Sequence, residues 1–159
     1  ENDVIFCAKD DISSDITYVP VVAQEFIVAI SEKSPLAQKD YILPEDLLGS
    51  NLISYREQIP LGKSVKSLLD SLVVDNVKYS FDDESILAGF AVNGVDVALM
   101  IDTFFLRNVE GMVLKPFYNN EVEKKKFYHC IYMAYSNKRY HPYCVDHFIE
   151  YVQSIIHIS

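Results

Sequence analysis

Short apolar runs, separated by polar and turn-forming residues, dominate the pattern of the chain. Residues 95–101 are nearly all apolar, which is typical of a parallel strand covered on both faces. Other runs alternate with polar residues or are rich in β-branched and aromatic side chains, as strands are. The pattern predicts strands at residues 4–8, 18–30, 51–55, 77–81, 95–101, 109–117 and 127–135. The polar residues 10–15 are predicted to form a loop.

Four segments carry helix signals. Residues 43–49 have a proline where a helix begins and a glycine where one ends. An apolar stripe predicts a second helix; it consists of Leu61, Val65, Leu68, Leu69 and Leu72. Asp82 or Asp83 can cap a third helix that ends near Asn93. A fourth follows His141-Pro142, and its stripe consists of Val145, Phe148, Ile149, Val152 and Ile156.

The order of these elements is strand–helix–strand–helix–strand through the middle of the chain. That order predicts right-handed βαβ units and a doubly wound α/β lobe with a parallel sheet.

The charge of the chain bears on its partners. Lys and Arg total 14 against 23 Asp and Glu, a formal net charge of −9. Nucleic acid repels such a chain unless basic residues cluster. The densest cluster is the three lysines at 124–126, and Glu121 and Glu123 dilute it. We expect a solvated loop or the start of a strand there rather than a phosphate-binding patch, and no DNA binding by this chain alone.

Other features bear on location. The longest apolar runs are far shorter than the roughly 20 residues of a membrane span, and no signal-peptide pattern opens the sequence. Three widely spaced cysteines argue against a disulfide framework. We therefore expect no membrane association and a cytoplasmic setting.

The common signatures of nucleotide, redox and hydrolase chemistry are absent from the sequence. His141, Cys144 and His147 have a spacing that a zinc ion accepts on one side of a helix. Structural zinc takes four ligands, however, so we expect Cys144 to be a small core residue and the histidines to border the helix stripe. No catalytic residue, metal or cofactor is expected.

The three carboxylates at residues 82–84 permit two interpretations. Following a strand and opening a helix, they can stabilise the positive end of the helix dipole. They can also contact a ligand, because ligands bind at the carboxyl ends of strands in open α/β sheets.

Six motifs in order resemble the effector-binding domain of LysR-type transcriptional regulators. They are EFIVAI at 25–30, SPLA at 34–37, PEDL at 44–47, NLISYR at 51–56, DESILAGFAVNG at 83–94 and VDVALM at 95–100. The last helix also resembles the family's ending. Two departures stand out: Gly94-Val95-Asp96 replaces the family's G-x-G, and Ile101-Asp102 replaces a proline that often ends the strand.

The resemblance implies a type-2 periplasmic-binding-protein-like α/β fold: two lobes with mostly parallel sheets, flanking helices and an effector cleft between them. It implies a remnant of a truncated first lobe at residues 1–28 and a complete second lobe at 29–131. Residues 132–159 would be the return segment and a C-terminal helix packing toward the first lobe. Crossings between lobes are expected near residues 23–30 and 130–134, and the family's winged helix-turn-helix is missing.

The effector site is expected where strands end. Arg56 offers a bidentate guanidinium suited to a carboxylate, unless it pairs with Glu57 or lies in water. The acidic pair at 82–83 opposes an anionic ligand, so a carboxylate effector is favoured by Arg56 alone. The effector-binding residues that we expect are Ser54, Tyr55, Arg56, Asp82, Asp83, Asp102 and Thr103.

The function that the resemblance implies is sensing of a small effector in the control of transcription. Promoter DNA would be bound only through the missing helix-turn-helix, by a homodimer or homotetramer. A solute-binding protein of a transporter with the same fold is the alternative. An enzyme on this scaffold is a third, opposed by the lack of a paired nucleophile and base.

Overall fold

Two units make up the chain in the computed structural model: Gln24–His129, here the larger unit, and Glu1–Ala23 with Cys130–Ser159, the smaller unit. The structure describes residues 2–9 and 14–156, without the side chains of Tyr79 and Ser80. Most of the loop predicted for residues 10–15 therefore lies outside the described residues.

The secondary structure follows the predicted order. The strands in the described residues are β1 (Val4–Ala8), β2 (Ile16–Ser31), β3 (Leu52–Tyr55), β4 (Val77–Phe81), β5 (Val97–Ile101), β6 (Met112–Pro116) and β7 (Tyr128–Ser136). The α-helices are α1 (Pro44–Leu47), α2 (Pro60–Ser71), α3 (Glu84–Val92) and α4 (Tyr143–Ile155). The predicted strand at 109–117 is shortened at its start, because Gly111 turns the chain with a left-handed φ of 82°.

A mixed sheet forms the centre of the larger unit. β3 is parallel to β4 and to β5, and the helices α2 and α3 supply the crossovers that parallel pairing requires. β2 is antiparallel to both β5 and β6. The sheet is therefore parallel at β4-β3-β5 and antiparallel around β2, whereas the sequence predicted mostly parallel pairing.

Both faces of this sheet are covered. Every residue of β3 and of β5 is buried, so neighbouring side chains that point to opposite faces are all removed from water. Val65 and Leu69 of α2 and Leu87 and Ala91 of α3 belong to the same apolar core. Burial at about 25 cal/mol per Å² of apolar surface is the main stabilising contribution.

The smaller unit pairs β1 with β7 antiparallel, with Phe6 opposite Met133. Ile149 and Val152 of α4 pack in one cluster with Met133. The expectation that Cys144 is a core residue is wrong, because its side chain is exposed. Cys144 is five positions before Ile149, so the two side chains point about 140° apart around the helix.

Neither a metal site nor a membrane span emerges from the described residues. Nowhere in residues 2–9 and 14–156 do three or more His, Cys, Asp or Glu side chains form a group that could hold a metal ion. Over the same ranges, every helix falls short of the length and apolar character that crossing a bilayer demands.

Two strands contain residues of both units: β2 and β7. The lobe boundaries expected after residues 28 and 131 fall within these strands. The assignment of the segments to a first and a second lobe stays a prediction.

His129 generates a prediction about pH. It is buried in β7, next to the ring of Phe26, and burial lowers the pKa of its imidazole below 6.5. As the pH falls below about 6.5, the unfolded chain therefore binds a proton that the folded chain does not. The free energy of unfolding should decrease over that window, and it should decrease less in His129→Phe.

Urea unfolding at about pH 7.5 and about pH 5.5 measures this difference. His147→Phe is the matched control, since the side chain of His147 is exposed, and it should keep the wild-type pH dependence. An equal loss of stability in wild type and His129→Phe would contradict the prediction.

Candidate functional site

The carboxyl ends of β3, β4 and β5 lie at one edge of the larger unit, because the three strands are parallel. We call this the strand-end edge: Arg56 follows β3, Asp82 and Asp83 follow β4, and Asp102 and Thr103 follow β5. The main-chain N–H of Arg56 donates to the carbonyl oxygen of Phe81 at 2.7 Å, which joins the ends of β3 and β4 directly.

Tyr55 lies buried directly behind the strand-end edge. Its hydroxyl donates to Glu84 Oε1 at 2.9 Å and accepts the main-chain N–H of Ile101 at 3.0 Å. Burial, together with the charge of Glu84, raises the pKa of the phenol far above its ordinary value, so the hydroxyl stays protonated as a donor. Tyr55 thus joins the end of β3 to the start of α3 and to the end of β5.

Ser54 is also fully buried, and its hydroxyl donates to the carbonyl oxygen of Leu99 at 2.7 Å. The hydroxyls of Ser54 and Tyr55 are therefore both used within the unit. The structure places these two residues behind the strand-end edge and the charged residues on it.

Arg56 and Asp82 form an ion pair on the exposed side of the edge, with Arg56 Nε 2.9 Å from Asp82 Oδ1. Both side chains are about half exposed. The carboxylate that Arg56 pairs with is that of Asp82, which the sequence did not predict, and Glu57 Oε1 lies 3.7 Å from Lys66 Nζ.

Asp83 is the N-cap of α3. Its Oδ1 accepts the main-chain N–H of Ser85 at 2.7 Å and that of Ile86 at 3.4 Å. The bonds from Ser85, main chain first and side chain second, hold the pKa of the Asp83 carboxyl below its ordinary value. Of the two caps that the sequence allowed, Asp83 is the one used, which leaves Asp82 for Arg56.

Asp102 forms a two-point ion pair with Arg107: its Oδ1 lies 3.1 Å from Nε and its Oδ2 lies 2.5 Å from Nη2. Next to it, Thr103 Oγ1 is buried without a hydrogen-bond partner among the described residues. Exposed Phe104 and Phe105 follow, their rings edge to face at 5.8 Å.

An open groove of about 510 Å³ adjoins the Asp102–Arg107 pair. Glu25, Ile27 and the residues of β6 line the rest of it. Its volume is in the range of small-molecule sites. Glu25 in turn is held by Lys126, whose Nζ lies 2.8 Å from Glu25 Oε2.

The sequence analysis missed several residues of this region: Arg107, Phe104, Phe105 and Glu25. A signal existed for the two phenylalanines, since large apolar residues directly after a buried strand have no core position left. Arg107 gave none, because its partner follows from the fold. Glu84 was considered with Asp82 and Asp83, but its bond to Tyr55 was not predicted.

Comparison with known proteins identifies a family that matches nearly the whole chain. The LysR substrate binding domain family matches residues 1–155. No curated protein sequence matches the chain.

Solved structures agree in fold. The effector binding domain of QuiR in complex with shikimate has a TM-score of 0.80 and 20% identity, over 94% of this chain and 69% of that one. The regulatory domain of CcmR from Synechocystis PCC6803, in complex with 2-PG, has a TM-score of 0.77 and 15% identity, over 98% and 74%. Full-length CbnR complexed with target DNA has a TM-score of 0.75 and 10% identity, over 96% of this chain and 52% of that one. The expected α/β, periplasmic-binding-protein-like fold is confirmed.

The contacts of Tyr55 predict a stability defect. Tyr55→Phe removes the hydroxyl that Glu84 accepts from and takes away the acceptor of the buried N–H of Ile101, which should cost about 1–3 kcal/mol of unfolding free energy. Urea denaturation measures it. Tyr140→Phe is the control, because Tyr140 is 90% exposed and should unfold like the wild type. Indistinguishable midpoints for the two variants would contradict the role given to Tyr55.

Proposed function

The chain belongs to the LysR substrate-binding domain family, and on that premise we propose that it senses a small effector at the strand-end edge. The family match favours a regulatory domain over the solute-binding protein of a transporter. The observation that carries the proposal is the exposed ion pair of Arg56 and Asp82 at the shared end of parallel strands.

The contacts divide the seven expected residues into three groups. Arg56, Asp82 and Asp102 present charged groups at the surface of the edge and are proposed to contact the effector. Asp83 and Thr103 frame these contacts, one as the cap of α3 and the other beside the Asp102–Arg107 pair. The remaining two, Ser54 and Tyr55, are proposed to hold the edge in place from behind.

The charges of the edge bear on the effector's chemistry. Both Arg56 and Arg107 already face a carboxylate. A carboxylate effector must therefore share a guanidinium with Asp82 or Asp102, or replace it at the N–H groups that these carboxylates occupy. A molecule that carries hydroxyl groups beside its carboxylate also gives Asp82 and Asp102 donors to accept from.

No catalysis is proposed for the domain, in keeping with a family of ligand-binding regulatory domains. For the full-length protein we propose promoter binding through a separate DNA-binding domain, as a homodimer or homotetramer in the cytoplasm. Full-length CbnR complexed with its target DNA supports this proposal by likeness of fold.

Replacing Arg56 tests the site. A thermal-shift screen of hydroxylated carboxylates, with shikimate as the first probe, selects a compound that stabilises the chain by binding the folded state. Arg56→Ala should weaken binding of that compound roughly tenfold to a hundredfold, the loss of one charge-assisted hydrogen bond. Titration calorimetry measures the affinity.

Lys33→Ala controls for the loss of a surface cation, because Lys33 is exposed and follows the end of β2 that lies toward the start of β5, at the opposite edge of the same sheet. It should bind the selected compound like the wild type. Unchanged affinity in a folded Arg56→Ala variant would place the effector elsewhere.

The isolated chain should not bind promoter DNA. Its net charge is −9, and the basic run at 124–126 is engaged within the chain: Lys126 pairs with Glu25, and Lys124 lies 4.3 Å from the centre of the Tyr41 ring. Fluorescence anisotropy at about 0.15 M salt should show no binding, whereas the full-length protein should bind. Sequence-specific binding by the isolated chain would overturn this expectation.

A further inference from the structure

Gly62 lies in the first turn of α2, directly against the main chain of Arg56. A Cβ atom placed on Gly62 would overlap the carbonyl oxygen of Arg56, and it would lie 2.6 Å from the Arg56 carbonyl carbon and 3.1 Å from the Cα of Glu57. These neighbours are backbone atoms, which cannot rotate away as the end of a side chain can. The absence of a side chain at position 62 is therefore a condition of the packing there.

The backbone conformation does not require glycine at this position. Gly62 is inside a helix and does not have the positive φ found at Gly49, Gly94 and Gly111. A glycine inside a helix costs about 1 kcal/mol relative to alanine. Gly89 of α3 differs, because a Cβ atom there would meet nothing within 4 Å. At position 62, therefore, glycine lowers the stability of the helix but leaves room for the carbonyl group of Arg56.

The main chain of Arg56 is held from two sides. Its N–H donates to the carbonyl oxygen of Phe81 at 2.7 Å, and its carbonyl oxygen accepts the N–H of Ile59 at 3.2 Å. The first turn of α2, with Gly62, closes over that same carbonyl group. The side chain of Arg56 extends from this fixed backbone, and its Nε lies 2.9 Å from Asp82 Oδ1.

We infer that Gly62 is a positioning residue for the effector site: its bare Cα lets α2 seat the Arg56 backbone so that the guanidinium meets Asp82. A methyl group at position 62 pushes the Arg56 carbonyl away from the helix and moves the guanidinium with it. The link to effector binding rests on the proposed function, whereas the effect on the Arg56–Asp82 pair does not.

Gly62→Ala and Gly89→Ala form a matched pair of variants. In ¹H–¹⁵N spectra, the Nε–H signal and the main-chain amide signal of Arg56 report its position without any ligand, and Asp82→Ala, which removes the acceptor, gives the Nε–H reference for a broken pair. Gly62→Ala should move the Nε–H signal toward that reference and shift the amide signal. Gly89→Ala should leave both signals in place.

Pro60→Ala is a second variant, in case Gly62→Ala does not fold. Pro60 is the exposed first residue of α2, and its loss frees the first turn without adding an atom beside Arg56. It should shift the Arg56 signals in the same direction by a smaller amount. Wild-type Arg56 signals in a folded Gly62→Ala variant, or in Pro60→Ala where Gly62→Ala does not fold, would overturn the inference.

A double-mutant cycle separates the inference from the proposed function. With the compound selected in the thermal-shift screen, Gly62→Ala should weaken binding about as much as Arg56→Ala, roughly tenfold or more. In the Arg56→Ala background it should cause no further loss, because it acts through Arg56. An additional loss there would overturn the positioning role. Shifted Arg56 signals with unchanged affinity would sustain the positioning of Arg56 and refute the proposed effector site.

Discussion

The hydroxyl of Tyr55, fully buried at the end of β3, is the constraint on which the strand-end edge depends. A phenol removed from water must satisfy its hydrogen bonds within the protein. This one does so with Glu84 at the start of α3 and with the N–H of Ile101 at the end of β5. Three chain segments therefore have to meet at one atom. The charged residues that follow these segments gain fixed positions although they lie at the surface.

The electrostatics of the edge follow from the same arrangement. Carboxylates follow β4 and β5, and the guanidiniums of Arg56 and Arg107 are each bound by one of them. An effector charge inferred from Arg56 alone therefore leaves out the carboxylate that Arg56 already binds. The proposed site offers donors and acceptors together, a combination that suits effectors with both kinds of group better than simple anions.

The sequence predicted what depends on local pattern. The buried strand β5, the stripe of α2 and a cap by Asp82 or Asp83 follow from periodicity and from the chemistry of helix ends. The hydrogen-bond partners of Tyr55 could not be predicted in this way, because Glu84 and Ile101 lie 29 and 46 residues away in the sequence. Cys144 was misassigned because only Ile149 and Val152 of the α4 stripe are buried, so the helix buries a narrower face than its apolar residues suggest.

At the proposed site, the ion pair of Arg56 and Asp82 makes ligand capture through the Arg56 Nε–H a substitution. A carboxylate that takes this N–H displaces Asp82, which already accepts it, so the number of contacts to that N–H is the same before and after binding. The gain in free energy is then a difference between two similar contacts, each partly solvated and each weak for that reason. Release is as accessible as capture, since Asp82 stays beside Arg56 to take the contact back. Occupancy of such a site follows the concentration of its ligand reversibly, which is the property that a sensor needs and a storage site does not.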